Sequence, residues 1–329
     1  MTITKLDEVR LLALNAHQRT LTEVANDILR AGIGGKIATS LQVQERLEVG
    51  SGTVQKAIRH LVDIGAVRLR AKGHKGTVIE ALDPALLWNA ASLPPFRLVL
   101  TPPGAIESGV LSIGIRAQLS KKRIAVEFDF VRGASQRLAL LGDGIPRVAL
   151  LSRGAAFDFG APNDPAFEVL DLGFSTYYSQ QTLVVLSRPG LDLKGSSNLR
   201  VARDPDSFDH NQLTRREFPR RPNIEYVDCP FPDVPGAILD GVADAGVWHQ
   251  VVTTITPQQA GLEVRPIQWP STDLQLTALS SGMLVWRSEF GELGKLLGLI
   301  DFTAIQAEQA RLASSGIASI EVRAIIPHM

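Results

Sequence analysis

Apolar residues recur at helical spacing in three segments near the start of the chain, at 20–32, 39–49 and 51–64. The first two segments open on capping-box patterns, Thr20 with Glu23 and Thr39 with Gln42. A capping box satisfies backbone N–H groups that the first helical turn leaves free. The pattern therefore predicts one helix from about Thr20 and a second from about Thr39.

The third segment has the most regular pattern. Its apolar residues fall at i, i+3, i+4 and i+7 and would form one buried face: Val54, Ala57, Ile58, Leu61 and Ile64. Two β-rich runs follow, "AVRLRAKG" and "GTVIEA", around a glycine-framed tip. Three short helices and a β-hairpin predict a winged helix-turn-helix domain over 19–82. Its recognition helix would be at about 51–64 and its wing at about 66–81.

Two further segments flank this domain. Residues 1–18 contain the apolar run "LDEVRLLALNA", which predicts a helix that either contacts a second subunit or caps the DNA-binding module. Residues 83–95 mix alanines with three prolines, a composition typical of a linker.

From residue 96 to residue 329 the pattern changes to alternating strands and helices. Short apolar runs such as "FRLVLTPP" and "PRVALLSRG" are typical of buried strands, and longer helical segments separate them. The runs 175–190 and 274–288 are also β-rich and predict strands. This alternation predicts an α/β domain behind the α+β domain of the N-terminus.

Gly50 and Gly52 raise a second possibility, a phosphate-binding loop. A dinucleotide fingerprint would need a third glycine at the position of Gln55 and a strand before Gly50, where the pattern is helical. A Walker-type loop would need Gly-Lys-Ser or Gly-Lys-Thr, and neither triplet starts there. We therefore interpret the two glycines as the turn between two helices.

Composition and charge limit the classes of function that the chain can have. The apolar content of 45% and the charged content of 21% are ordinary for a soluble globular protein. A single cysteine, Cys229, allows no internal disulfide, and the histidines show no metal-ligand spacing. Net charge is zero, but residues 1–82 contain 12 Lys and Arg against 8 Asp and Glu, which is +4, so the remainder is −4. This asymmetry indicates an anionic partner at the N-terminal end.

The polar face of the third helix matches that partner. A recognition helix presents its first turns to base edges, where Gln55 can pair with adenine while Lys56 and Arg59 neutralise phosphates. Side chains of the hairpin could reach an adjacent groove. The predicted DNA-binding residues are Ser51, Thr53, Gln55, Lys56, Arg59, Lys72, His74 and Lys75.

The stretch "VGSGTVQKAIRHLVDIGAVRLRAKGHKGTVI" resembles the winged-helix segment of GntR-type bacterial transcription factors. Within that group, "GTVQKA" together with "GHKGT" is similar to the YhfZ-like subgroup. Two positions depart from the GntR-type pattern, since Gly50 replaces the usual serine and Gln55 replaces the usual arginine. Base preferences therefore cannot be transferred from other members.

Beyond residue 96 the element order resembles a two-lobed α/β effector domain like type-2 periplasmic binding proteins. The resemblance implies a ligand cleft at the carboxyl ends of the strands, where helix N-termini converge. Arginines near capping serines would suit a carboxylate or a phosphate. The predicted ligand-binding residues are Thr101, Ser108, Arg132, Ser135, Ser152, Arg153, Ser207, Asp209, Asp244 and Trp248.

These observations predict a cytoplasmic, ligand-responsive transcriptional regulator that binds double-stranded DNA as a homodimer on a palindromic operator, without a cofactor, metal or membrane. Two alternatives belong to other classes. One is an enzyme with a catalytic α/β domain and an accessory winged helix, but no nucleophile-elbow, zinc-protease or Walker motif is present. The other is a transport solute-binding protein, which neither the N-terminal sequence nor the DNA-binding module fits.

Overall fold

Three helices and a β-hairpin form the N-terminal part of the molecule. The computed structural model describes residues 15–73, 76–179, 181–267 and 273–315. The N-terminal elements are α1 (Ala16–Ala31), α2 (Ser40–Leu47), α3 (Ser51–Asp63), β1 (Val67–Ala71) and β2 (Thr77–Leu82). The two strands pair antiparallel, and Val54, Ala57 and Leu61 of α3 are buried. The predicted winged helix-turn-helix fold is confirmed.

The helix starts follow local hydrogen bonding. The capping box of α2 is present, because Gln42 N donates to Thr39 Oγ1 at 3.3 Å and Thr39 N donates to Gln42 Oε1 at 2.8 Å. The predicted start of α1 at Thr20 is wrong. Asn15 caps this helix upstream, and the Thr20 hydroxyl donates to Ala16 O at 2.7 Å from inside it. Most of the predicted helix at 1–18 lies outside the described residues.

The turn between α2 and α3 does not depend on the two glycines as we expected. Its left-handed residue is Glu48, with φ 54° and ψ 44°, whereas Gly50 has φ −74° and serves as the N-cap of α3. Gly52 lies inside α3, and a Cβ at either glycine would meet nothing within 4 Å. The backbone at the start of α3 is therefore open to an approaching partner.

The segment 83–95, expected to be a linker, contains helix α4 (Pro84–Ala90). Asp83 caps this helix, and Pro84 occupies its first turn, where no N–H is needed. Leu87 and Trp88 are buried. The side chain of Thr22 in α1 donates to Ala91 O at 2.7 Å. This segment is a packed element that joins the two parts of the chain.

The remaining elements build two lobes. In chain order they are β3 (Phe96–Leu100), α5 (Ile106–Ser120), β4 (Val126–Phe130), α6 (Ala134–Ala139), β5 (Val148–Ser152), α7 (Arg153–Asp158), β6 (Phe167–Gly173), β7 (Leu183–Ser187), β8 (Leu199–Arg203), α8 (Phe208–Glu217), β9 (Ile224–Asp228), α9 (Val234–Leu239), β10 (Ala245–His249), β11 (Glu263–Pro266), α10 (Leu274–Ser280), β12 (Gly282–Arg287), α11 (Glu292–Leu297) and α12 (Phe302–Ser315).

Each lobe has one five-stranded mixed sheet. The first sheet has the order β4-β3-β5-β12-β6, with β12 antiparallel to both of its neighbours. The second has the order β11-β7-β10-β8-β9, with β7 antiparallel to both of its neighbours. The chain crosses from β6 to β7 and returns from β11 to β12, as the predicted two-lobed fold requires.

Two β-rich runs were misassigned. Among the described residues of 175–190, only β7 is a strand, and the run 274–288 contains helix α10 before β12. The strand β6 pairs with β12 from Phe167 to Gly173, with a register shift between Gly282 and Met283 of β12. Leu276 and Leu279 of α10 are buried at a spacing that suits a helix, although the sequence around them alternates like a strand.

The apolar cores join the N-terminal domain to the first lobe. One continuous cluster runs from Leu61 of α3 through Leu87 of α4 to Leu98 and Trp286 of the first sheet. The second lobe has separate clusters on the two faces of its sheet. An ion pair between Arg30 of α1 and Glu292 of α11, 3.1 Å long, adds to the contact with the first lobe.

Candidate functional site

A cavity of about 160 Å³ lies between the lobes, at the carboxyl ends of the strands. The first lobe contributes the segments after β3 and β4, and the second contributes those after β8, β9 and β10. The predicted residues that line it are Thr101, Ser108, Arg132, Ser207, Asp209 and Trp248.

The other predicted ligand residues lie elsewhere. Ser135 is exposed and donates to Gln136, while Ser152 is buried behind Asp209. Arg153 points away from the cavity, with its guanidinium 3.5 Å from Asp171. Asp244 stands at the start of β10, the end opposite to the cavity, and accepts from Arg200 Nη2 at 2.7 Å.

Several lining residues were not predicted. Tyr177 and Tyr178 come from the crossover between the lobes, and Arg137 comes from the interior of α6. Sequence position gave no signal for them, because they do not follow a strand directly. Asp204, which follows β8 directly, could have been found by the rule that nominated Ser207. The unpredicted polar and aromatic residues are Arg137, Tyr177, Tyr178, Asp204, Phe231 and His249.

Two contacts tie the lobes together across the cavity. Arg132 of the first lobe donates through Nη2 to both carboxylate oxygens of Asp204 in the second, at 3.0 and 2.8 Å. The Ser152 hydroxyl of the first lobe donates to Asp209 Oδ1 of the second at 2.5 Å. Asp204 is almost fully buried, so its pairing with Arg132 compensates a charge that would be costly alone.

A third contact involves Glu107 at the start of α5. Its Oε1 accepts from Ser179 N and Thr182 Oγ1, both at 2.7 Å, and its Oε2 lies 3.0 Å from His249 Nε2. Burial alone would raise the pKa of Glu107, but the charge of His249 and these hydrogen bonds outweigh it and bring the pKa to about 2. The carboxylate is thus a fixed junction between α5, the crossover segment and β10.

Asp209 is the least compensated carboxyl group in the cavity. Burial raises its pKa to about 6, against hydrogen bonds from Ser152 and Tyr177 and the charge of Arg137. Arg137 cannot turn toward it, because its nitrogens donate to Leu150 O, Val131 O and Tyr177 Oη at 2.8 to 2.9 Å. Arg137 therefore contributes positive potential but is held by the protein itself.

The candidate nucleic-acid interface is the open face of α3. The side chains of Ser51, Gln55, Lys56 and Arg59 are exposed, and Thr53 is half-buried. No side chain caps the helix at Gly50. The N-terminus of α3 therefore presents free N–H groups beside polar and basic side chains, which is the arrangement an anion or a phosphate backbone requires.

The basic residues of this domain differ in whether they already pair with an acidic side chain. Arg68 and Arg70 on β1 pair with Glu80 on β2. Among the described residues, Lys56 and Arg59 make no salt bridge. On the hairpin Lys72 is exposed, whereas His74 and Lys75 lie outside the described residues.

Neither a membrane span nor a metal cluster is found in the described ranges. No helix there is long and apolar enough to cross a bilayer. No group of three His, Cys, Asp or Glu side chains in the same ranges is arranged to hold a metal ion.

Known proteins share both the domain types and the fold of this chain. A helix-turn-helix domain model matches residues 32–79. The Uncharacterized protein YhfZ of Escherichia coli (strain K12) is 25% identical over 295 residues, which cover 89% of this chain and 94% of that protein. The crystal structure of YhfZ from Shigella flexneri is similar with a TM-score of 0.52 and 23% identity, over 71% of this chain and 96% of that one.

A weaker similarity in fold is to the substrate binding protein of a methionine transporter from Streptococcus pneumoniae. It has 12% identity and a TM-score of 0.48, over 68% of this chain and 94% of that one. The family model for the YhfZ C-terminal domain matches residues 83–318, which is more than half of the chain. This chain therefore belongs to the YhfZ family.

Proposed function

We propose that this protein is a ligand-responsive transcriptional regulator of the GntR type. It binds operator DNA through α3 and the β1–β2 hairpin, and it senses a small metabolite with an anionic group in the interlobe cavity. The observation that supports the proposal most is the open face of α3. An uncapped helix N-terminus with exposed Gln55, Lys56 and Arg59, set behind a helix and a turn, has the geometry of a recognition helix.

The residues of the interface have distinct roles in this proposal. Gln55 reads an adenine edge in the major groove, and Ser51 and Thr53 contact bases or phosphates. Lys56 and Arg59 neutralise phosphates, and Lys72 of the hairpin contacts an adjacent groove. The same role stays a prediction for His74 and Lys75, which lie outside the described residues. The open space around Gly50 and Gly52 lets the DNA backbone approach the helix start closely.

The assembly follows from the geometry of DNA. One recognition helix reads only a few base pairs, so specific binding calls for two copies on a palindromic site about one helical turn apart. We propose that the protein is a homodimer and acts in the cytoplasm, where operator DNA is found. The predicted helix at 1–18 remains a candidate for the dimer contact.

The interlobe cavity supports a sensor rather than an enzyme. Arg132, Asp209 and His249, which line it, each make a polar contact between the lobes, which suits a site whose occupancy changes the lobe arrangement. Cys229 is not poised as a nucleophile, because burial raises the pKa of its thiol.

The test is DNA binding by the full chain across a salt series, with duplexes selected from random sequence. The double variant Lys56→Ala/Arg59→Ala should weaken binding to all sequences and reduce the salt slope by about two, since each phosphate contact contributes about one. Lys121→Ala/Lys122→Ala, which removes two exposed lysines from the end of α5, is the matched control.

Two further results discriminate among sequences and functions. Gln55→Ala should relax specificity at one position while leaving the salt slope unchanged. If the full chain binds no duplex even at low salt, or if the lysine control weakens binding as much as the α3 variant, the regulator proposal is wrong.

A further inference from the structure

We propose that the interlobe cavity takes a small zwitterion, whose anionic group meets Arg132 and the N-terminus of α5 and whose ammonium group meets Asp209. This inference names the ligand class of the sensing site, so it rests on the proposed function. It goes beyond an anionic metabolite, because it requires a positive group as well.

The anion-binding end is built on the first lobe. Arg132 engages Asp204 through Nη2, and the described residues give its Nε and Nη1 no partner. Its side chain remains 41% exposed at the cavity. Beside it α5, which is 15 residues long, begins at Ile106, and its N-cap residue Ala105 provides no side-chain cap. The first-turn N–H groups of α5 other than that of Glu107, which bonds its own carboxylate, suit a carboxylate together with the guanidinium group.

The cation-binding end is Asp209 on the second lobe. This carboxyl group accepts from Ser152 through Oδ1 and also from Tyr177, and the neighbouring positive group, Arg137, has its nitrogens engaged by two carbonyls and Tyr177. Asp209 is 3% exposed and still lines the cavity. A buried carboxylate with an incomplete set of donors is stabilised by an incoming ammonium group.

The charge balance argues against a pure anion. The charged groups that line the cavity include Arg132 and Arg137 opposite Asp204 and Asp209, and these four charges sum to zero. Glu107 and His249 form a separate pair. An anion alone would add an uncompensated charge beside the buried Arg137, Asp204 and Asp209, whereas a zwitterion adds none.

Size and wall chemistry limit the rest of the ligand. A cavity of about 160 Å³ is close to the roughly 150 Å³ that accepts a benzene-sized molecule. Its walls include the ring of Tyr178, which stands edge-on to Tyr177 and His249 at 4.6 and 4.8 Å. These walls fit the apolar skeleton of an amino acid or a short ω-amino acid.

The experiment is calorimetric titration of the full-length protein with the protein amino acids, β-alanine and 4-aminobutyrate. Each ligand that binds is compared with its N-acetyl derivative, which keeps only the anion, and with its carboxamide, which keeps only the cation. We expect a zwitterion to bind, and each analogue to bind at least about tenfold more weakly. The comparison uses the wild-type protein and so does not depend on a variant's folding.

Two variants assign the ends. In Asp209→Asn the ratio of the affinity for the parent ligand to the affinity for its N-acetyl derivative should fall toward one. In Arg132→Gln the preference over the carboxamide should fall instead. Asp158→Asn, at an exposed aspartate of α7, is the matched control and should change neither ratio.

The inference is overturned if no zwitterion binds below about 1 mM. It is also overturned if an N-acetyl derivative binds as tightly as its parent. These outcomes are separable from the DNA test. If the protein binds a zwitterion but no DNA duplex, the proposed regulator function is wrong and the inferred ligand class stands. If the protein binds DNA specifically and only anions without an amino group change that binding, the regulator function stands and the zwitterion inference is wrong.

Discussion

Asp209 is a buried carboxyl group whose ionisation opposes folding. Burial raises its pKa from 3.8 to about 6, and the hydrogen bond from Ser152 and the charge of Arg137 offset only part of that cost. Between these two values the folded chain binds more protons than the unfolded chain. The stabilisation is therefore fully present below pH 3.8 and is lost as the pH rises through about 6.

The variant Asp209→Asn removes this dependence. A shift of about two pH units corresponds to about 3 kcal/mol. We expect the free energy of unfolding of the wild type, relative to the variant, to fall by about this amount between about pH 4 and about pH 7. Urea denaturation at several pH values measures the difference. Asp158→Asn should give a curve parallel to that of the wild type, and so would Asp209→Asn if its carboxyl group were solvated.

Helix α4 is the element in which packing overrides composition. Leu87 is 0% exposed in the core shared with the first lobe, while Leu86 next to it is 40% exposed. Leu87→Ala should lower the free energy of unfolding by about 2 to 5 kcal/mol, because it removes buried methyl groups and leaves a cavity. Leu86→Ala should cost under about 1 kcal/mol. Similar unfolding midpoints for the two variants would show that 83–95 is a linker after all.

The elements that could be predicted are those set by local chemistry. Thr39 and Gln42 form their capping box because both partners lie within one turn. The same spacing at Thr20 failed, since the upstream Asn15 caps the helix first and the sequence does not rank competing caps. Helix α10 was assigned as a strand because its leucines alternate, and only its tertiary packing decides between the two periods.

The candidate ligand site was predictable mainly near the carboxyl ends of strands, although Ser108 and Asp209, in the first turns of α5 and α8, were also predicted and line the cavity. Thr101, Arg132 and Ser207 were found because they follow a strand, and they line the cavity. Asp244 does not line the cavity, because it precedes β10 and therefore lies at the end of the sheet opposite to the cavity. Arg137 and Tyr177 reach the cavity through packing between a helix and the crossover segment, which a single sequence does not encode in any short pattern.

At the scale of the whole molecule, the winged helix-turn-helix domain and the first lobe share one apolar core and form one packed unit. A single apolar cluster contains Leu61 of the recognition helix and Leu98 and Leu284 of the first sheet. The second lobe packs on clusters of its own, and it meets the first lobe both through polar contacts around the cavity and through Phe208 of α8, which packs against the apolar core of the first lobe. The motion that a ligand can control is therefore that of the second lobe against this unit.

This division predicts how destabilisation spreads. Leu61→Ala in α3 should lower the hydrogen-exchange protection of β3 and β12, because elements that share one core open together. Leu213→Ala, in the separate core of the second lobe, is the matched control and should lower the protection of β8 and β10 only. Hydrogen exchange followed by mass spectrometry resolves these strands.

The opposite result of this exchange experiment would identify the N-terminal domain as a part that moves independently. If Leu61→Ala left β3 and β12 protected, the DNA-binding domain would open independently of the first lobe, despite the buried contacts of α4 and the Arg30–Glu292 pair. A ligand between the lobes could then reposition α3 only through those few contacts. With the expected result, the proposed regulation would act through the second lobe, which would move relative to a winged helix-turn-helix domain that is packed on the first lobe.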